Sequence, residues 1–240
     1  MTVADLDIEV IQKDIKNIHL AVYPPIGRVR IAAPLEVNTE TIRLFILSKL
    51  PWIRRQQRKF ANQNRQTLRQ YVNRETHYYL GRKYLLRVHE TNHPYRYPKV
   101  VLKTKTYIDL YVKENTSIEQ KANLMKEWYR EELKKILVEY IVKWEKILNV
   151  KANVANVKSM KTKWGSCNTD KGTILFNLEL AKKPLSCIEY VVAHELVHLI
   201  ERLHNDNFRA YLDKHLPNWK QIKSELNLHT TAHIDWDGVK

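Results

Sequence analysis

Ser186-Cys187-Ile188-Glu189-Tyr190-Val191-Val192-Ala193-His194-Glu195-Leu196-Val197-His198-Leu199-Ile200 is the stretch on which the reading of this chain turns. A helix drawn through it is apolar on nearly every face, so it must be buried. Ser186 and Glu189 stand in the S-x-x-E spacing of a capping box, which sets the expected start of that helix. His194 and His198 fall one above the other on a turn, with Glu195 about 100° round the axis. Two imidazoles and a carboxyl buried without partners are costly, and a metal ion supplies the partners. A cation such as Zn2+, held by three protein ligands with one position open, lowers the pKa of a bound water to about 7. Glu195 is then the candidate catalytic residue, a general base that turns general acid toward a leaving amine. H-E-x-x-H on a helix is the pattern this chemistry needs.

A third ligand must come from outside the helix. His204, ten residues after His194, would lie about 15 Å further along an unbroken helix. The helix is therefore expected to end near Arg202, with Asn205 and Asp206 opening the next one. His204 is favoured over Glu201 and Asp206. The spacing H-E-x-x-H-x5-H is that of a metzincin, but Glu201 replaces the turn-making glycine, which argues against that group.

Upstream, Thr173 to Leu180 alternates as a strand, with Ile174, Phe176, Leu178 and Leu180 on one face. Before it come an extended stretch from Val154 to Trp164 and the compact turn Gly165-Ser166-Cys167. A long helix is expected from about Ser117 to Leu148, and further strands over His77 to Val88 and Lys99 to Lys113. Ile8 to Ala33 reads as a hairpin, and Asn38 or Thr39 caps a helix running through about Tyr71, with a break near Pro51. No internal repeat is visible in the letters. The expected architecture is α+β: an N-terminal region over 1–115 and a catalytic region over 116–240, its active-site helix packed on a small sheet.

Together, Trp164-Gly165-Ser166-Cys167, Gly172 to Asn177, Ile188 to Leu199, His204-Asn205, Phe208, Pro217 and Trp219 resemble the YgjP-like zinc metallopeptidases, zincins related to SprT-like proteins. The resemblance implies that His194, His198 and His204 hold one zinc ion, that Glu195 is the catalytic acid/base, and that the substrate is a protein or peptide. In zincins the strand before the active helix commonly takes the substrate chain by backbone pairing, which points to Thr173 to Leu180. Phe176, Asn177, Gly165 and Ser166 are the candidate substrate contacts. Cys167 is read as a structural thiol before a redox or metal-contacting one. Tyr190, Asn205, Tyr211 and His215 are equal candidates for stabilising the oxyanion. His229 and His233 are read as surface residues.

The 240 residues carry 41 Lys+Arg against 26 Asp+Glu, a formal charge of +15. Nine of those bases and no acid lie between Thr41 and Arg74. On one continuous helix Arg54, Arg58, Arg65 and Arg69 would form a stripe about 22 Å long, suited to the phosphates of DNA or RNA. A basic face that tethers the enzyme to nucleic acid is therefore an expectation, and a nucleic-acid-binding protein with a structural metal site is the alternative reading. No apolar run is long enough to span a bilayer, and no Gly-rich phosphate loop occurs, so no membrane and no nucleotide cofactor are expected. Acids in the first ten residues and two unpaired-looking cysteines point to the cytoplasm.

Overall fold

The computed structural model describes residues 1–23, 26–61, 69–91, 98–160 and 163–228. Packing separates two compact units, Met1–Arg65 and Gln66–Lys240.

The first unit contains β1 (Thr2–Val3), β2 (Leu6–Lys13), β3 (His19–Tyr23), β4 (Arg28–Pro34) and α1 (Thr39–Ala61). Its sheet runs β1-β2-β4-β3. The expected hairpin is the antiparallel pair β3–β4, and β2 joins β4 in parallel. Val29, Ile31 and Ala33 alternate inward from β4, and α1 contributes Ile42, Ile46 and Ile53 to the buried set. The Asn38 side chain accepts the Thr41 amide at 2.8 Å, capping α1 as expected. Pro51 does not break the helix. It sits on the exposed side, where its missing amide is cheap, and buried Ile46 and Ile53 hold the turns on either side.

Among the described residues the arginine stripe is not seen. Helix α1 is described only to Ala61, Arg65 lies outside the described residues, and Arg69 belongs to the second unit. There Arg69 pairs with Glu75 and donates to the Thr76 carbonyl. Arg54 pairs with Asp5 at 2.9 Å, while Arg58 is exposed. Internal acids and carbonyls thus take two of the four guanidinium groups.

The second unit opens with β5 (Thr76–Tyr79), β6 (Arg82–Glu90), β7 (Lys99–Val101) and β8 (Tyr107–Val112), in the order β5-β6-β8-β7. Helix α2 (Ile118–Leu148) follows, started by a reciprocal capping box between Ser117 and Gln120. This is a repeat of the first unit's plan: an antiparallel pair, a parallel central pair, a second antiparallel pair, then a capped helix. An ion pair crosses the central parallel strands in both, Glu9 with Arg30 and Arg87 with Asp109, on register-matched partners. The repeat escapes a reading of letters because it preserves pairing and burial, not residue identity.

A third sheet, β10 (Gly165–Asn168), β11 (Thr173–Asn177) and β9 (Val154–Lys158), has the order β10-β11-β9. The expected strand to Leu180 stops at Asn177, whose side chain caps a 3-10 turn over Leu178–Lys182. Helices α3 (Leu185–Val197), α4 (Asp206–His215) and α5 (Trp219–Leu228) complete the unit. Helix α3 is buried from Cys187 through Val197, apart from a half-exposed Glu189. It packs on α2, α4, α5 and β10. The strands over 76–112, grouped by sequence with the N-terminal region, share one hydrophobic core with α3 through Tyr84, Leu86, Ile108 and Leu110.

The capping box expected at Ser186 is absent. Helix α3 starts two residues earlier, with Pro184 at the cap and no side-chain cap bond. Glu189 is drawn instead to α2, where it accepts from Lys143 at 2.6 Å and from the Trp144 indole at 3.1 Å.

Candidate metal centre

Helix α3 ends at Val197, a turn before the expected Arg202, and His198 forms its C-cap with αR backbone. His194 and His198 therefore keep helical i,i+4 geometry while the chain is free to turn back. Amides of Ile200 and Glu201 bond the Val197 carbonyl and close that turn. Asn205 then caps α4 by accepting the Phe208 amide at 3.0 Å. The result is that the possible ligand atoms of His194, His198 and His204 all lie within 4.8 Å of one another. Two nitrogens at about 2.05 Å from a tetrahedral zinc ion would stand about 3.3 Å apart. The Nε2 atoms of His194 and His204 stand 3.0 Å apart. The donor set and spacing fit one ion.

The Nδ1 of His198 faces the Glu201 carbonyl at 3.1 Å, so that nitrogen carries the proton and Nε2 is left as the ligand atom. Phe208, on α4, packs 4.8 Å from each of the three imidazole centroids. It forms an apolar floor that fixes the rings without competing for an ion. Only its place in a motif pointed to Phe208, and no chemical signal did. Burial pulls the His194 imidazole well below its usual range, helped by His198 and His204. Burial also takes His198 to about 4, against the opposing bond to the Glu201 carbonyl. Both rings are thus neutral near neutrality, the form that ligates. Glu201 and Asp206, the rival third ligands, are not in the cluster; Asp206 pairs with Arg209.

Glu195 is buried beside the triad, and burial raises its carboxyl to about 8, tempered by the charge of Lys163. An ion at the histidines would draw that value down again. The reason Glu195 fits is Gly165. A Cβ at that position would lie 2.5 Å from Glu195 Oε1 and 2.7 Å from its Cγ. Gly165, read as a substrate contact, is first of all the space in which the glutamate lies.

A cleft of about 900 Å³ opens over these groups, lined by Lys163, Gly165, Ser166, Cys167 and the triad among others. Gly165 and Ser166 are therefore in the cleft, but Phe176 and Asn177 are fully buried and cannot meet a substrate. Asn177 instead donates to the carbonyls of Met160 and Lys163 and so holds the segment before Trp164. Strand β11 is central, paired on both sides, so it has no free edge for a peptide; β10 is the edge strand beside the cleft. Cys167 is half-buried in the cleft wall, and burial together with Glu195 pushes its thiol up to about 11, so it stays protonated. Tyr190 is buried and stacked on Trp219, and Asn205 is spent on its cap. Neither they nor Tyr211 or His215 line the cleft. His229 and His233 lie outside the described residues.

An α+β unit that gathers three histidines and a glutamate at one buried helix is the arrangement of a metallopeptidase. The chain belongs to the YgjP-like family: the family's metallopeptidase-domain model matches residues 16–229. Two solved structures are similar to part of it. The metallopeptidase zymogen of Pyrococcus abyssi abylysin is 19% identical, with 40% of this chain and 99% of that chain covered at a TM-score of 0.36. The metallopeptidase zymogen of Methanocaldococcus jannaschii jannalysin is 21% identical, with 39% and 92% covered at 0.33. No curated protein matches. Membership implies a hydrolase that uses a metal and acts on proteins or peptides. No helix among the described residues is long and apolar enough to cross a membrane.

Proposed function

We propose that the protein is a zinc-dependent endopeptidase in which His194, His198 and His204 hold one ion and Glu195 moves the proton. The observation that carries this reading is the convergence of three imidazoles beside a buried carboxyl at an open cleft. When bound, the ion supplies Lewis acidity toward a water and a peptide carbonyl. Glu195 takes the proton of the attacking water and delivers it to the leaving amine nitrogen. Gly165 and the buried wall of α3 hold that carboxyl in one place. The edge of β10 offers backbone groups to an extended chain, and Ser166, Asn168 and Asp170 line the same cleft as the triad. Backbone pairing along a strand edge suits cleavage within a chain. Two free thiols, Cys167 and Cys187, suit a reducing cytoplasm.

The alternative of a purely structural metal site is disfavoured, because such sites are closed by four protein ligands. Among the described residues three gather here, beneath an open cleft. Tethering to nucleic acid through residues 41–74 finds no support among the described residues. Glu195→Gln should keep zinc at one equivalent, measured by elemental analysis, and lose cleavage of an unfolded protein substrate. His198→Ala and His204→Ala should lose the metal. Undiminished cleavage by the glutamine variant, or full occupancy in either histidine variant, sinks the proposal.

A further inference from the structure

The outer face of the β5-β6-β8-β7 sheet carries a second organised cluster, made of groups the peptidase reading does not use. Alternation sends Tyr84, Leu86, Ile108 and Leu110 inward and leaves Arg87 and His89 of β6 beside Tyr107, Asp109 and Tyr111 of β8 on the other face. Asp109 is the hub. Its carboxylate takes two bonds from Arg87, at 2.8 and 2.9 Å, and faces His89 Nε2 at 2.8 Å. The Asp109 side chain is 1% exposed, whereas those of Arg87 and His89 are 42% and 40% exposed. A buried anion thus holds two planar groups, a guanidinium and an imidazole, at the surface, about 7 Å apart along one strand.

Each plane is backed by a tyrosine. The Arg87 guanidinium lies 4.3 Å from the Tyr107 centroid, and His89 stacks on Tyr111 at 4.6 Å and 14°. Lys99 and Lys103 flank Tyr111 at 5.8 and 5.7 Å. Tyr78, on the neighbouring edge strand opposite Lys83, adds a 38%-exposed ring to the same face. Across residues 82–113 the sequence has eight Lys or Arg and two acids, Glu90 and Asp109. Both acids are engaged, Glu90 with Lys121 and Asp109 within the hub.

We propose that this sheet face binds single-stranded nucleic acid. Fixed planar groups give bases a surface to stack on, and the surrounding lysines meet the phosphates. Rings held at a surface stack on bases that a duplex keeps within its own stack, so unpaired strands are favoured over duplex. An acidic protein would need the charges but not the rings. The cluster belongs to a different face of the unit from the histidine cleft, with no residue in common.

The test is fluorescence anisotropy of the full chain with labelled oligo-dT, oligo-U and a duplex, over a salt series. Binding of either single strand, tighter than duplex, is expected. Lys99→Gln/Lys103→Gln should make the log–log salt slope shallower by about 1.4, at about 0.7 per phosphate contact. His89→Ala should weaken binding about tenfold while Arg87 still satisfies Asp109, and His89→Phe, which keeps the stacked ring, should restore most of it. Lys134→Gln/Lys146→Gln on α2 should leave binding within twofold. The proposal is overturned if no strand binds at low salt, if duplex binds as tightly, if polyglutamate competes equally well, or if the α2 variant loses as much as the sheet variant.

Discussion

Gly165 and Glu195 act as one unit, because the carboxyl occupies the volume a side chain at 165 would fill. Gly165→Ala should therefore displace the glutamate by a large fraction of an ångström and lower kcat/KM by about 100-fold, with zinc content unchanged. Loss of zinc in step with activity would mean that the glycine supports the fold and not the glutamate. His77 makes a second prediction at this scale. Burial, with the charge of Arg69, lowers its imidazole to about 4 against the pull of Glu75. Unfolded chains protonate it near 6.5, so between about pH 4 and 6.5 the unfolded state holds more protons and stability falls as pH falls. Urea midpoints should drop across that window, and His77→Gln should flatten the drop; an unchanged slope rejects the assignment. Residue chemistry was legible where it rests on short spacing. His194, Glu195 and His198 are set by one helical turn, and His204 by a turn the local Asn and Asp residues allow. Phe208 and the space at Gly165 depend on contacts between elements, which no local pattern encodes.

Among elements, α3 is defined by what surrounds it more than by its own ends. The S-x-x-E letters at Ser186 match a cap, yet Pro184 already occupies that role and Glu189 is taken up by α2. Glu189→Ala would leave the indole N–H of buried Trp144 without this acceptor, at a cost of about 1–3 kcal/mol. A thermal melt showing that loss, with helix content by circular dichroism intact below the transition, separates a brace from a cap; fraying of α3 without loss of stability would restore the cap. The same limit explains the strand error. Alternation shows that Thr173 to Asn177 is a half-buried strand, but β9 and β10 approach it from outside its own letters and make it central. Which strand is the edge is a property of the sheet, and under the proposed function it moves the expected substrate pairing to β10.

At the scale of the molecule, the histidines lie wholly within Gln66–Lys240. Zinc added to metal-free protein at about 1,000 times its Kd should stabilise that unit by about 4 kcal/mol. Hydrogen exchange should then slow in β10, α3 and α4 and stay unchanged over residues 1–65. Equal slowing in both would show one cooperative body and reject the division. The α+β class and the element order were readable from periodicity, whereas the boundary after Arg65 was not. It falls among like-charged residues with no shift in composition, and only packing reveals it.

The repeated plan has a consequence of its own. In one half the acid stands on β2 and the arginine on β4; in the other the arginine stands on β6 and the acid on β8. The chain thus contains both orientations of the same bond, and each half is a natural double exchange of the other. Fold, at this position, is indifferent to the sign of the charge. What differs is the surface made above it, so that one architecture written twice leaves each copy free to meet a different partner.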